Sequence, residues 1–456
     1  MPYYKRESEV LVLSAATSSP GTGWVSTTVQ NAMNYARTNG LTLVLLSGIF
    51  STGALTVDTA TGGGQKFTMR AAVAGAATLR FTGGSYLFQV NGINDVSVSG
   101  VVFDGQNAAI SDGSNQAGLV RFQNCTGFQL AGCRVTASTK TGVVALTGAQ
   151  GMIADCAIDT CSVGVLVYNS RVDVVRNRIT TCSNNGVYVW REPAGGGVEY
   201  DGSTIIDNRI DDIDTAGGGT GQNGNGIVVY RAVGVKAAGN TISNVQYSCI
   251  RFNASGAAQI TGNHCISARE CSVFVEATAP GLNLDGAVVS DNIIEQAGDG
   301  IKVVNLGLYS DGIARRIAIS SNHIRGITKN TINDPGYSPT VSNACGIQVE
   351  GLCVLTGNMI EDAAGFGIVL GTNEATYDLL ATGNLVHASV TGIGCSNNAS
   401  AGRISVVGNV VSGATDGSIV PVAFNGANFY RVGSTDVANT ADSQLGNVYV
   451  GNNRGY

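Results

Sequence analysis

The chain has 456 residues, of which 13% are charged and 63 are Gly, and its formal net charge is −6. Those numbers exclude a nucleic-acid surface as the main business of the protein, because phosphate neutralisation needs concentrated Lys and Arg. No stretch approaches the roughly 20 apolar residues of a membrane span, and a chain this long divides into several domains unless a single repeat builds it.

The first residues carry no recognisable signal peptide: VLVLSAA (10–16) is too short for an apolar secretory core and follows Glu7 and Glu9. Residues 24–39 place Val25, Val29, Ala32, Met33 and Ala36 at helical spacing before Gly40, which predicts a helix over about 25–39. A β-rich run, LTLVLLSGIF, follows at 41–50. Residues 1–50 therefore read as an N-terminal cap, covering strand edges that would otherwise invite aggregation. Irregular strands come next (67–81, 96–105).

From about residue 120 one phrase recurs, a short strand, then Asn or Cys, then an apolar or β-branched residue. Cys133 and Cys156 hold the slot first, then Asn177, Asn208, Asn240, Asn263, Asn292, Asn322, Asn358, Asn384 and Asn409. A second phrase, Gly with alternating apolar residues, follows at Gly142, Gly164, Gly186, Gly226, Gly300, Gly346 and Gly367. Spacings of 21 and 23 residues between the closest copies signal a solenoid whose short strands bury their faces only by stacking. The predicted fold is all-β, a right-handed parallel β-helix over 51–420, with a C-terminal cap at 421–456. At a coil spacing of about 4.8 Å the regular part spans on the order of 50 Å. Asn in a fixed slot is scaffold, because its amide can bond the turn and stack on the next Asn, and Asn tolerates a left-handed bend. The eleven Cys, with no CxxC, read as stacked buried thiols rather than a zinc or redox centre.

Function is expected where the period breaks, since longer loops on a rigid solenoid build the binding face. Gly186 to Asn208 spans 22 residues and Asn208 to Gly226 spans 18, and a third insertion lies at 329–345. They would wall a groove along one side of coils 186–276. Four residues after the Gly slot come Tyr168, Trp190, Tyr230, Asn253, Glu276 and Glu350; beside them lie Arg191, Arg231 and Asn305; two after the slot come Tyr188, Arg251, Phe274, Lys302 and Gln348. Aromatic rings suit the apolar faces of sugars and Arg forks suit carboxylate or sulfate. Trp190, Tyr230, Tyr188, Asn253, Arg191, Lys302 and Asn305 are the expected substrate contacts, with Arg191, Arg231 and Arg251 as clamps for acidic sugars. Glu276 with a loop acid, Asp201 or Glu199, is the expected acid/base pair, at a separation that would decide hydrolytic stereochemistry. β-Elimination or epimerisation would instead use Arg191, Arg231, Arg251 or Lys302 to neutralise a uronate carboxylate and Tyr188, Tyr230 or an Arg as the base. No metal or other cofactor is required; DDIDT (211–215) is an acid-rich alternative for Ca²⁺ that lacks the spacing of a known calcium loop. His264 and His323, next to ladder positions, read as structural or solvent-exposed.

The segments NNGVYVWR (184–191), DGSTIIDNRIDDI (201–213), GGTGQNGNGIVVYRA (218–232), NASGAAQITGNHC (253–265) and FVE (274–276) resemble bacterial β-helix repeat proteins exported by a twin-arginine signal. The helix-then-strand opening, with Gly48 and Phe50 in its turn, is similar to the cap of the wider pectate-lyase-like group of lyases, epimerases, glycosidases and phage tailspikes. The resemblance implies an exported, periplasmic or extracellular protein with a carbohydrate ligand and does not fix the reaction; together with the residues above, the expectation is a protein that binds an extended anionic polysaccharide across coils 186–305 and cleaves or epimerises it. The alternatives are a homotrimeric tailspike-like glycan reader and a non-catalytic envelope or matrix protein.

Overall fold

The computed structural model describes residues 1–61, 66–193, 199–215, 218–276, 286–305, 316–371, 378–397, 402–426, 428–433, 436 and 448–455. Parts of the insertions singled out above (194–198, 216–217) and of the C-terminal segment (437–447) lie outside the described residues. The fold is a right-handed parallel β-helix. The chain divides into two compact units, Met1–Arg191 with Ser203–Ile210 and Glu192–Gly202 with Asp211–Tyr456.

The first unit opens with an antiparallel hairpin of Tyr3–Glu7 and Val10–Ser14, whose second strand runs parallel to Thr42–Leu45. The helix is Val29–Thr38, and it buries Val29, Ala32, Met33 and Ala36. It starts about a turn later than the apolar spacing predicts for two reasons. Val25–Ser26 instead pairs with Tyr3 and Tyr4, and Thr28 takes the N-cap position, its hydroxyl accepting the Asn31 N–H at 3.1 Å. Regular coils follow. Ala157–Tyr168 runs parallel to Arg178–Trp190 with Ile158 against Ile179, Cys161 against Cys182 and Val165 against Val187, all six buried.

In the second unit the regular coils have three strands, for example Ala258–Thr261, His264–Ala268 and Cys271–Glu276. They pair in parallel with Ala287–Ser290, Ile293–Glu295 and Asp299–Val304 of the next coil. Apolar residues stack on their equivalents: Val273, Ile301, Ile347, Ile368, Ile393 and Ile419 form one register column, each with no exposed surface. β-Branched side chains suit this pleated, stacked interior. Gly at the start of that strand answers close approach: a Cβ on Gly300 would sit 2.3 Å from the Gly346 carbonyl oxygen.

The Asn slot is a buried ladder. Asn263 donates its N–H and its Nδ2 to Asn292 Oδ1 (2.9 and 3.0 Å) and donates Nδ2 also to the Ala237 carbonyl. The pattern repeats through Asn322, Asn358, Asn384 and Asn409 to Asn453, the last a rung that the sequence pattern did not pick out. In the first unit Asn177 bonds Asn208 the same way, and the Cys156 N–H donates to Asn177. The left-handed backbone belongs to the residue before the Asn, not to the Asn: Arg176, Asp207, Gly262, Asp291, Ser321 and Gly357 all have φ between 54° and 65°. That leaves each Asn free to turn its amide inward, and it accounts for the Gly and Asp that recur ahead of it. All eleven cysteines are buried. Among the described residues no helix is long and apolar enough to cross a membrane.

Candidate functional site

In the first unit the expected aromatic contacts form a cluster. Trp190 meets Tyr168 edge-on at 5.0 Å between ring centroids and stacks on Tyr188 at 5.7 Å with an 11° interplanar angle. Arg191 is turned inward, its Nη2 donating to the Ser170 carbonyl at 2.8 Å. It closes a neighbouring coil, which is not the geometry of a clamp held out to a ligand.

In the second unit the column two residues after the Gly slot carries Val228, Arg251, Phe274, Lys302 and Gln348 in register. Beside it run Tyr230, Asn253, Glu276 and Val304. Arg251, 4% exposed, is the hub. Its Nε and Nη2 donate to Glu276 Oε2 at 3.0 and 2.6 Å, and its Nη1 donates to Glu270 Oε2 at 3.3 Å and to Thr220 Oγ1 at 2.9 Å. The guanidinium carbon lies 4.4 Å from the Phe274 ring centroid, and Lys302 Nζ lies 5.1 Å from the same centroid. Thr220 in turn donates to the Glu270 carboxylate at 2.9 Å. Asn253 Nδ2 donates to Glu276 Oε2 at 2.7 Å. Glu270 is sealed at 6% side-chain exposure, whereas Glu276 keeps 19%. Because each carboxylate is held by an arm of one guanidinium, their nearest oxygens are no more than about 8 Å apart.

Behind this cluster Asp299 is fully buried. Burial pushes its carboxyl up to about 6, against the opposing pull of Lys302 and of the Cys345 and Asn343 N–H groups, which it accepts at 3.0 Å. For Lys302 burial is the largest effect and opposes the charge, but Asp299, Cys271, Glu270 and Cys345 together outweigh it and hold the ammonium above its usual range.

The insertion at 329–345 returns onto earlier coils. Asp334 accepts from the Tyr247 hydroxyl and from Gln246 Nε2 (3.2 Å), and Asn330 Nδ2 donates to the Arg269 carbonyl at 3.1 Å. Burial and the Asp334 contact push the Tyr247 phenol well above its ordinary value. The insertion presents Tyr337 beside Gly219, where an added Cβ would lie 2.6 Å from the tyrosine ring. Between them is a cleft of about 650 Å³, with Thr220, Gln222 and Asn223 on one wall, Tyr337 and Ser338 on another, and Val228, Tyr230 and Asn253 beneath.

The structure pairs Glu276 differently from the sequence expectation. Glu199 lies level with Ala232, and Tyr230, Asn253 and Glu276 follow on successive coils, so Glu199 is three coils from Glu276. Asp201 is buried, its N–H bonded to the Val233 carbonyl. The carboxylate that shares Arg251 with Glu276 is Glu270. Glu350 is two coils beyond Glu276, since only Asp299–Val304 intervenes. Asn305 is spent on the scaffold: its amide donates to the Gly351 carbonyl (2.6 Å) and accepts the Gly351 N–H. Arg231 lies over the Tyr230 ring at 5.0 Å. Glu270 and Asp299 were missed by column counting, because they sit at and before the turn into the strand. The available signal was a carboxylate in register with Cys271 and Ser248, in a column where a buried charge is anomalous.

Asp211 accepts from Ser243 and Asn244 (2.6 and 2.8 Å), and Asp214 accepts its neighbour's N–H. Among the described residues no three His, Cys, Asp or Glu side chains converge as metal donors.

Residues 72–270 match a family model described as periplasmic copper-binding protein (NosD). That span is less than half of the chain, and the match does not confirm the resemblance to twin-arginine-exported repeat proteins. Among the described residues the donors of a copper centre are not assembled: His264 bonds Glu295 (2.8 Å) and His387 bonds Ser412 (2.9 Å) on separate strands. No curated protein sequence matches the chain. Among solved structures the chain is similar to a PL6 alginate lyase in complex with a trisaccharide, at 13% identity over 99% of this chain and 97% of that one, TM-score 0.50. It is also similar to the pre-mature gene product 12 of bacteriophage phi29, at 13% identity over 90% of this chain and 55% of that one, TM-score 0.51. At this identity the likenesses establish the β-helix fold.

Proposed function

We propose that the protein is a carbohydrate-active enzyme that cleaves an extended glycan by acid–base chemistry at the Arg251 cluster. The observation that carries this reading is two carboxylates, Glu276 and Glu270, held by one guanidinium directly beside a cleft of ligand size. Glu276 is the group placed at the reacting bond, since it is the more exposed and bonds cleft-lining Asn253. In hydrolysis one carboxyl protonates the departing glycosidic oxygen while the other takes the proton of the attacking water. Substrate would displace Thr220 from Glu270 to bring the second carboxyl into play.

Hydrolysis is favoured over β-elimination by charge. Elimination on a uronate needs a cation free to neutralise the sugar carboxylate, yet Arg251 is engaged by two carboxylates and Lys302 faces Asp299. The anionic substrate expected from the arginines therefore rests chiefly on Arg231. Solved relatives of the fold include a polysaccharide lyase crystallised with sugar, which supports the substrate class, and the match to a family described as periplasmic supports an exported location. The test is incubation with acidic and neutral polysaccharides, followed for new reducing ends and for absorbance at 235 nm. Reducing ends without absorbance are expected; absorbance rising with them would replace hydrolysis by elimination.

A further inference from the structure

We infer that the sugar unit seated in the cleft beside Glu276 is uncharged, and that Tyr337 is the residue that selects it. The inference rests on the glycan reading above and names the substrate class within it. Its first support is the chemistry of the walls. The described residues lining the cleft are hydroxyls, carboxamides, two tyrosines, a valine and glycines, and none of them is charged. Gln222, Asn223 and Asn253 offer both donors and acceptors, which suits the hydroxyls or acetamido group of a neutral pyranose. Among the described residues lining the cleft a uronate carboxylate would find no cation, and Arg251, joined to cleft-lining Thr220, already serves Glu270 and Glu276, so an added anion would face both of them.

The second support is how firmly Tyr337 is placed while staying available. It is 52% exposed, yet the segment carrying it is fixed at both ends. Asp334 ties it to Tyr247 and Gln246, and Asp299 takes the N–H groups of Asn343 and Cys345 where the segment rejoins the helix. Its ring rests against Gly219, where any side chain would collide with it. An exposed aromatic held this rigidly presents flat apolar area at little entropic cost. Tyr230 supplies the other ring. One of its faces is taken by the Arg231 guanidinium, which leaves the opposite face for a sugar, and Arg231 itself is not among the residues lining the cleft.

The test is binding of two hexasaccharide sets, neutral (gluco-, xylo- and N-acetylglucosamine hexamers) and uronate (mannuronate and galacturonate hexamers), to the wild type, Tyr337→Ala and Glu276→Gln. A neutral hexamer should bind at least about tenfold more tightly than either uronate, and Tyr337→Ala should weaken it by about tenfold. Glu276→Gln should bind within a few-fold of wild type. Tighter binding of a uronate, or neutral binding unchanged in Tyr337→Ala, overturns the inference while leaving acid–base cleavage standing. Tyr337-dependent binding of a neutral hexamer without any turnover supports the inference and removes the enzymatic reading. Binding of neither set overturns both.

Discussion

Arg251→Met removes the hub of the charged cluster while keeping an unbranched apolar stem. Four hydrogen bonds disappear, two to Glu276, one to Glu270 and one to Thr220, together with the contact over Phe274. The larger effect is what remains: two carboxylates close together, one at 6% and the other at 19% exposure, without their common counter-ion. Breaking a buried ion pair from one side costs about 3–5 kcal/mol. That range applies here rather than the sum of four bonds, because Glu276 regains some hydration. Adding Glu270→Leu to Arg251→Met should recover more than half of the loss, since an apolar replacement of both partners is near neutral. Urea unfolding of the single and double variants measures this, with Arg176→Met as control. Arg176 pairs with Asp155 at the surface, with both side chains more than half exposed, so its loss should cost far less than that of Arg251. If Arg251→Met costs no more than the control, the cluster is not the buried charge network described.

The ladder gives a second prediction. Asn322→Ala deletes bonds to Val289, Asn292 and Asn358 in a site 1% exposed, and should cost about 2–4 kcal/mol in unfolding free energy, against a few tenths for a surface Asn. A third concerns pH. Asp299 titrates near 6 when folded, above its unfolded range near 3.9, so its ionisation disfavours the folded state. Its contribution is intact below about pH 4 and is lost as pH rises through 6, on the order of 2–3 kcal/mol. Asp299→Asn should flatten that limb of a melting-temperature profile between pH 4 and 7.5; an unchanged slope refutes the assignment. A fourth concerns the thiols. Burial pushes Cys125, Cys161 and Cys395 up to about 12, so they should resist iodoacetamide in the native protein and react in denaturant. Rapid native labelling would contradict their burial.

The fold was legible because its signals are local and repeated. An Asn or Cys every coil and a Gly opening the next strand each reflect one steric or hydrogen-bonding demand, met again on every turn. Half of the site followed from the same counting: Tyr230, Asn253, Arg251 and Glu276 share adjoining columns, as their offsets from the Gly slot imply. What counting could not supply was contact made across coils by irregular segments. Glu270 reaches Arg251 and Thr220 from a turn, and Asp334 reaches Tyr247 across 87 residues of chain. Neither position has a periodic signature. Arg191 and Asn305 had the right columns and the wrong use, since nearby backbone carbonyls at Ser170 and Gly351 claim their donors. The left-handed residue ahead of each Asn shows the same limit on a smaller scale, for the sequence marks the slot and the amide geometry decides which neighbour bends.

Glu276→Gln bears most directly on the central claim, because it keeps the side chain's size and removes only its charge and its ability to exchange a proton. Turnover should be measured on whichever polysaccharide the wild type degrades, with the release of reducing ends as the readout and oligosaccharide binding recorded in parallel. The account predicts a fall in turnover of at least about 100-fold with binding retained within a few-fold. Full turnover in Glu276→Gln would contradict it and move the chemistry away from the Arg251 cluster.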